Sequence, residues 1–532
     1  IPALDCAQDS GDWPMYGQNV CNTRAAAAGD PITTATASKL KVKWSYVAAG
    51  DISATPAVVG GQVYVPDWAG NLIRLDAATG KVVWSKNVGD ILGINGDGGT
   101  GLVAETLPDG GMLDTSRTAP FSAPVSRTTP VIADGNVIFT MGSAQAAATI
   151  AAVDSSTAAL KWRLALDSHP TALVTSSPAL DGDTLYVAVA SGEEVAAGYI
   201  PGYPCCSFRG SVAAVNATTG SLLWKTYMID DSVYFGSDGK TPSGYSGAAI
   251  WSGTPTVDRK RGLLYVTTGN NYSTSADPAK TPPDGDHIES IVALDLKTGV
   301  IKWSSRMAAT DGDVWTFANF SGPDYDFGCP ANLFRVASAD GGVEDIIGAG
   351  QKSGVYWAVR PDDGKVLWKN QVGPGGHLGG IHWGAAVDSN HVYVGVNDYA
   401  GTAYTMGGKG AQAGKKTSVG SWAALDPATG KTDWQIANPS MSAPLNGGSV
   451  NGPLAVVNGV VFAGSMDAKG TMYALDGATG KVLWSYESGA TVYSGPAIVG
   501  GVVYWGVGYP SVRPLGIGTS GKVQLYAFEI PK

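Results

Sequence analysis

Charge is scarce in this sequence. Only 15% of its 532 residues are Asp, Glu, Lys or Arg, against 44% hydrophobic residues, which leaves little with which to solvate helix surfaces. Positive charge in particular is short: the formal net charge is −10, which argues against a basic stripe and a nucleic-acid partner. No run of about 18 apolar residues occurs, so no membrane-spanning helix is expected. No signal-like segment precedes Ile1, so the sequence reads as a mature form or as a cytosolic protein that never carried a signal. H-E-x-x-H and C-x-x-C-H are missing, which removes zincin chemistry and covalently attached haem c. The five histidines show no ligand spacing, and His377 and His382 read as loop residues.

Glycine, by contrast, is plentiful, with 73 residues beside 30 prolines and 16 tryptophans. Abundant turn residues in an apolar chain point to a large all-β protein and exclude disorder. Two matches to G-x-G-x-x-G, at 96–101 and 516–521, open no helix in a βαβ unit and carry no weight. Of five cysteines, Cys6 and Cys21 bracket a short loop, while Cys205 and Cys206 are adjacent. The adjacency is either chance or a disulfide between neighbours, which persists best in an oxidising compartment. The expected pairing is Cys6 with Cys21 and Cys205 with Cys206, leaving Cys329 free.

A repeat runs through the whole chain. LIRLDAATGKVVW ends at Trp84, and related segments end at Trp162, Trp224, Trp303, Trp368, Trp434 and Trp484. Trp44 lies in an eighth unit whose preceding strand is missing; GKVQLYAFEI, residues 521–530, supplies it. Eight such units predict an eight-bladed β-propeller of four-stranded antiparallel blades, one domain over residues 1–532. Joining the N- and C-terminal strands in one blade closes the ring and removes an exposed edge.

In an up-and-down blade, the loops between strands B and C and between D and the next A emerge on one face. The unusual polar residues fall in those loops. Glu193, Glu194, Asn270, Asn271, Lys352, Asn397 and Asp398 occupy B–C positions, as do Cys205 and Cys206. Arg127, Thr175, Trp251, Asp324 and Asp326 occupy D–A positions. One mouth thus gathers carboxylates, amides, two cationic groups and a tryptophan outside the repeat, a set suited to an anionic, planar, metal-assisted ligand.

With these residues in place, the chain resembles the quinoprotein alcohol dehydrogenases, and within them the polyvinyl alcohol dehydrogenase group. The likeness rests on the D-x-x-T-G-x-x-x-W units, WPMYGQNVCNTR (13–24), CCSFRG (205–210), TTGN (267–270) and GPDYDFG (322–328). It implies pyrroloquinoline quinone (PQQ) and a Ca²⁺ ion, or a lanthanide, for which Asp326 is the pointer. Carried over by position, the metal ligands fall on Glu193 or its neighbour Glu194, on Asn270 and on Asp324, with Asp326 beside them. Asp324 takes the part of general base and Trp251 stacks under the quinone. Arg127, Thr175, Lys352 and Asn397 hold its oxygens and carboxylates; Lys352 stands where the family usually has arginine. The vicinal pair Cys205-Cys206 lies in a B–C loop, whereas that of methanol dehydrogenases lies in a D–A loop. The implied reaction is oxidation of an alcohol, secondary and bulky or polymeric, with hydride passing to the metal-polarised quinone C5. Electrons leave to an external acceptor such as a cytochrome c, and the location implied is periplasmic or secreted. Two rivals are a non-catalytic propeller scaffold of the cell envelope and a propeller hydrolase or lyase using Asp324, Asp326 and a metal.

Overall fold

The turn that closes each repeat is held by its own side chains. Asp76 accepts hydrogen bonds from the backbone N–H (2.8 Å) and hydroxyl (2.7 Å) of Thr79, which fixes a tight turn. Asp154, Asn216, Asp295, Asp426 and Asp476 do the same for their own threonines. The residue that follows is left-handed, a glycine at φ +70° in Gly80 and +72° in Gly480 but Ala158 at +58° in the repeat that ends at Trp162, and the glycines make room for an indole. A Cβ on Gly80 would stand 2.6 Å from Trp44, and one on Gly480 2.6 Å from Trp434.

Each repeat tryptophan then donates its Nε1–H across to the neighbouring blade. Trp44 reaches the carbonyl of Ala77 (3.0 Å), Trp84 that of Ser155 (2.8 Å) and Trp162 that of Ala217 (3.1 Å). Trp224, Trp303, Trp368 and Trp434 reach Leu296, Pro361, Pro427 and Gly477, and Trp484 returns to Leu40 (2.9 Å). Aspartate, threonine, glycine and tryptophan are therefore one device. It stitches each blade's outer strand to the turn of the next and closes on itself.

The computed structural model describes residues 4–6, 11–94, 125–143, 146–252, 254–274, 282–307, 314–319, 323–338, 341–441, 450–509 and 523–531. Within them, eight antiparallel blades follow in order around the ring, seven of four strands and one, blade 3, joined by an extra two-residue strand, Ala172–Leu173. Blades 1 to 7 span 57–87, 131–165, 179–227, 256–306, 332–371, 386–437 and 455–487. Blade 8 is composite: strands Ala497–Val499, Val502–Gly506 and Gln524–Glu529 are completed by the N-terminal strand Lys41–Val47, with Trp44 opposite Ala527. The split blade matches the expectation from the sequence. Inner strands are buried on both faces, as in Val460–Gly464, whereas outer strands such as Val82–Asn87 expose most positions. Among the described residues no helix is long and apolar enough to cross a membrane. The two G-x-G-x-x-G matches lie outside the described residues.

The N-terminal segment has a task that the repeat does not reveal. Residues 13–26 run across the inner strands and pair with one blade after another. The carbonyls of Trp13, Pro14, Val20, Cys21, Thr23 and Arg24 accept from the N–H groups of Val58, Ile132, Val257, Leu333, Val387 and Val456, on blades 1, 2, 4, 5, 6 and 7. The Arg24 side chain is wholly buried and donates to the carbonyls of Leu454, Tyr16 and Pro496 and the hydroxyl of Thr55. Cys6–Cys21 ties this hub to the segment before it. Cys205–Cys206 is the second disulfide, and Cys329 is a buried free thiol, as the sequence suggested.

Candidate active site

Lys352 stands between two aspartates. It follows the second strand of blade 5, and its Nζ donates to both Asp324 oxygens (3.0 Å each) and to Oδ2 of Asp326 (2.8 Å). Both aspartates come from the connection between blades 4 and 5 and are buried, Asp324 wholly so. Asp324 sits at φ +58°, a left-handed conformation uncommon outside glycine. Asp326 also accepts from Trp251 Nε1 (2.9 Å) and from the backbone N–H of Asn270 (2.6 Å). The Thr175 hydroxyl donates to the Trp251 carbonyl, and the Lys352 ammonium lies 5.1 Å from the centre of the Trp251 ring. The Asn270 amide donates to the carbonyls of Asn271 (2.7 Å) and Trp315 (2.8 Å). Five loops from blades 2 to 5 thus meet at one point of the mouth.

The electrostatics follow from burial and an imbalance of charge. Burial lifts Asp324 well above the carboxylate range; Lys352 opposes that, while Asp326 and Glu194 add to it. Burial likewise pushes Glu194 up to about 7, with Lys352 opposing and Asp326 reinforcing. Burial works against the Lys352 ammonium, but Asp324, Asp326 and Glu194 outweigh it and hold the group above its usual value. Three carboxylates thus face one ammonium. Among the described residues, no three His, Cys, Asp or Glu side chains converge as a ready cation site. The donor types are nevertheless those of a hard cation, carboxylate and amide oxygens, and the surplus negative charge is what such an ion would relieve.

The two glutamates part company. Glu194 belongs to the Lys352 cluster by its charge, and its carbonyl accepts from Phe317 N–H (3.2 Å). Glu193 faces away: its carboxylate accepts from Tyr203, Ser207 and Phe208, on the loop that carries Cys205 and Cys206. Asn397 ties together the connections on either side of blade 6 instead, donating to the Leu378 carbonyl (2.6 Å) and accepting from Val450 N–H (3.3 Å). Arg127 lies among aromatic rings, 5.4–5.5 Å from Trp68, Trp383 and Tyr509. It lines a pocket together with Thr175, Ser177, Ser252, Trp383 and Tyr493. A guanidinium beside hydroxyls and aromatic faces suits a flat, anionic guest.

Sequence reasoning missed the aromatic wall. Trp383 crosses Trp251 edge-on at 5.3 Å and His382 does so at 5.9 Å, while His377 stacks on Trp315. Both histidines are on loops, as read, yet they line the site. His382 is held neutral by burial first and Lys352 second, near 3. The signal was available: half of the sixteen tryptophans lie outside the repeat, and Trp68, Trp251, Trp315 and Trp383 among them gather here.

A propeller whose mouth holds buried carboxylates, a lysine and tryptophans defines the class as a β-propeller of the dehydrogenase type, and comparison agrees. Residues 165–374 match the family model described as PQQ, the β-propeller domain of glucose, ethanol and alcohol dehydrogenases. That span holds every member of the Asp324–Lys352 cluster. A second family model, that of the outer membrane protein assembly factor BamB, matches residues 16–112 and 418–523, where the plain repeat dominates. Polyvinylalcohol dehydrogenase of Sphingopyxis sp. (strain 113P3) is 31% identical over 88% of this chain and 68% of its own length. Polyvinylalcohol dehydrogenase of a Pseudomonas sp. is 29% identical over 96% and 75%. The quinohemoprotein alcohol dehydrogenase structure from Comamonas testosteroni has a TM-score of 0.70 at 20% identity, covering 98% of this chain and 81% of that one. The chain belongs to the quinoprotein alcohol dehydrogenases, in their polyvinyl alcohol dehydrogenase branch, and is a PQQ-dependent enzyme of that family.

Proposed function

We propose that this protein oxidises a secondary alcohol on a bulky or polymeric molecule and passes the electrons to an external acceptor such as a cytochrome c, in the periplasm or outside the cell. The observation that carries the reading is the buried Asp324–Lys352–Asp326 cluster joined to Trp251. Bound PQQ with a Ca²⁺ or lanthanide ion supplies the two-electron acceptor and a Lewis acid. Glu194, Asn270, Asp324 and Asp326 would hold the ion through oxygen, Glu194 rather than Glu193 because the Glu193 carboxylate is taken up by the 203–208 loop. Trp251, Thr175 and Arg127 would hold the quinone, the indole from one face and the guanidinium at a carboxylate. Asn397, engaged with Leu378 and Val450, would shape that rim, and the Cys205–Cys206 loop would wall the blade 3 side.

The protein's own part in the reaction is proton transfer and positioning. Asp324 takes the proton from the substrate hydroxyl onto a carboxylate oxygen. Burial raises its proton affinity and Lys352 opposes that rise, the direction of change that a general base needs. Lys352 keeps both Asp324 oxygens fixed and favours the ionised form in the resting site. Polyvinyl alcohol is the polymer in the names of two relatives, and it serves here as the first substrate to try. Quinone binding titrated by quenching of tryptophan fluorescence tests the assignment: Trp251→Ala is expected to weaken it about tenfold, the loss of a strong aromatic stack. Unchanged affinity in that variant moves the platform to Trp383.

A further inference from the structure

Glu193 and Glu194 open the short helix Glu193–Tyr199. Successive helical residues project about 100° apart, so the two carboxylates set out in different directions. Glu193 is wholly buried. Its Oε1 accepts from the Tyr203 hydroxyl (3.0 Å), the Ser207 N–H (2.9 Å) and the Ser207 hydroxyl (3.4 Å); its Oε2 accepts from the Phe208 N–H (2.8 Å). Every one of these donors lies on residues 203–208, the loop bearing the Cys205–Cys206 disulfide. His169 closes the far side, with Nε2 3.0 Å from the Ser207 hydroxyl and 3.6 Å from Oε1. The same loop rests on strand Asn271–Ser273, directly after Asn270. There the Ser273 hydroxyl donates to the Cys206 carbonyl (3.4 Å), and the Phe208 and Tyr272 rings stack at 6.3 Å.

We propose that Glu193 is a positioning residue whose carboxylate latches the disulfide loop onto the strand after Asn270, and so sets the blade 3 wall of the site. Of the carboxylate's acceptor positions, Oε1 takes three of these donors and Oε2 one, all from a single loop, so the group is oriented by that loop rather than by the charged cluster. The tandem glutamates thus divide the work: Glu194 faces the charged cluster, and Glu193 holds the wall beside it. The cation arm of the test below rests on the function proposed above; the latch does not.

Hydrogen exchange of the Ser207 and Phe208 amides reads the latch on protein without quinone or metal. Glu193→Ala is expected to raise their exchange at least ~10-fold, as local opening becomes easier, while amides of blade 7 stay unchanged. Tyr203→Phe, which removes one bond and leaves both glutamates, is expected to give a smaller rise in the same direction. Glu193→Gln keeps only one accepting oxygen and should fall between Glu193→Ala and the unaltered protein. In parallel, terbium titration followed by luminescence should find Glu193→Gln close to the unaltered protein and Glu194→Gln weaker by ~10–100-fold. Unchanged exchange in Tyr203→Phe and in the Glu193 variants overturns the latch. Loss of terbium affinity in Glu193→Gln equal to that in Glu194→Gln overturns the division of work. Should Glu193→Ala fail to fold, Tyr203→Phe and Glu193→Gln decide. Absence of terbium binding to any form defeats the cation reading and leaves the exchange result standing.

Discussion

Lys352 cannot be taken from between Asp324 and Asp326 without leaving two buried carboxylates facing one another. Breaking a buried ion pair by removing one partner costs about 3–5 kcal/mol, and Lys352→Met is expected to lose stability on that scale in urea titrations of apoprotein. Asp324→Asn removes charge from the same cluster without emptying space, so it should fold and bind quinone. Turnover should nevertheless fall at least ~10²-fold, the low end for loss of a general base. Full turnover in that variant would move the base to Asp326. That these residues share one mouth was legible from the sequence, because blade topology says which loops emerge together. Which of two adjacent glutamates faces inward was not legible, since it depends on the phase of a seven-residue helix. The aromatic wall was likewise hidden, since of the tryptophans outside the repeat only Trp251 was read as part of the site.

At the scale of the element, the blade is held by a turn, a glycine and an indole that belong to two neighbours. Trp434 is buried, at 2% exposure, and its Nε1–H reaches Gly477 of the next blade at 2.7 Å. Trp434→Ala is expected to cost about 3–5 kcal/mol with quinone affinity unchanged, the reverse of Trp251→Ala. Gly480→Ala should also destabilise, measurable as a lower melting temperature, because its Cβ would meet that indole at a left-handed φ. Strand number, blade number and the split blade were all readable from the sequence because this device repeats in letters. The hub of residues 13–26 was not. It repeats nothing, and its bonds to six blades are made by backbone groups that any sequence possesses.

At the scale of the whole molecule, buried acids tie folding to pH, and Asp286 does so outside the Asp324 cluster. Asp286 lies wholly buried between the second and third strands of blade 4. Burial pushes it up to about 7, with the Asn271 amide and Arg306 only partly opposing; neither oxygen has a hydrogen-bond partner of good geometry. In the unfolded chain the group ionises near ~4. Between about pH 4 and pH 7 the folded state therefore holds a proton that the unfolded state has released, and stability from this group is lost as pH rises through that window. Asp286→Asn is expected to flatten the profile and to stabilise the protein at pH 8 by up to ~4 kcal/mol, three pKa units at 1.36 kcal/mol each. Denaturant titrations across pH 4–8 check it; parallel profiles for the two proteins would contradict the assignment.

The central claim, that this propeller is a working quinone- and cation-dependent alcohol dehydrogenase, is tested most directly by reconstitution. Apoprotein is loaded with PQQ and Ca²⁺, or with PQQ and a lanthanide, and given polyvinyl alcohol or a small secondary alcohol with an artificial electron-accepting dye. The expected result is bleaching of the dye that needs alcohol, quinone and cation together and is lost in Asp324→Asn. Folded protein that bleaches no dye under any of these loadings, or that bleaches it equally after chelation and quinone removal, would contradict the account.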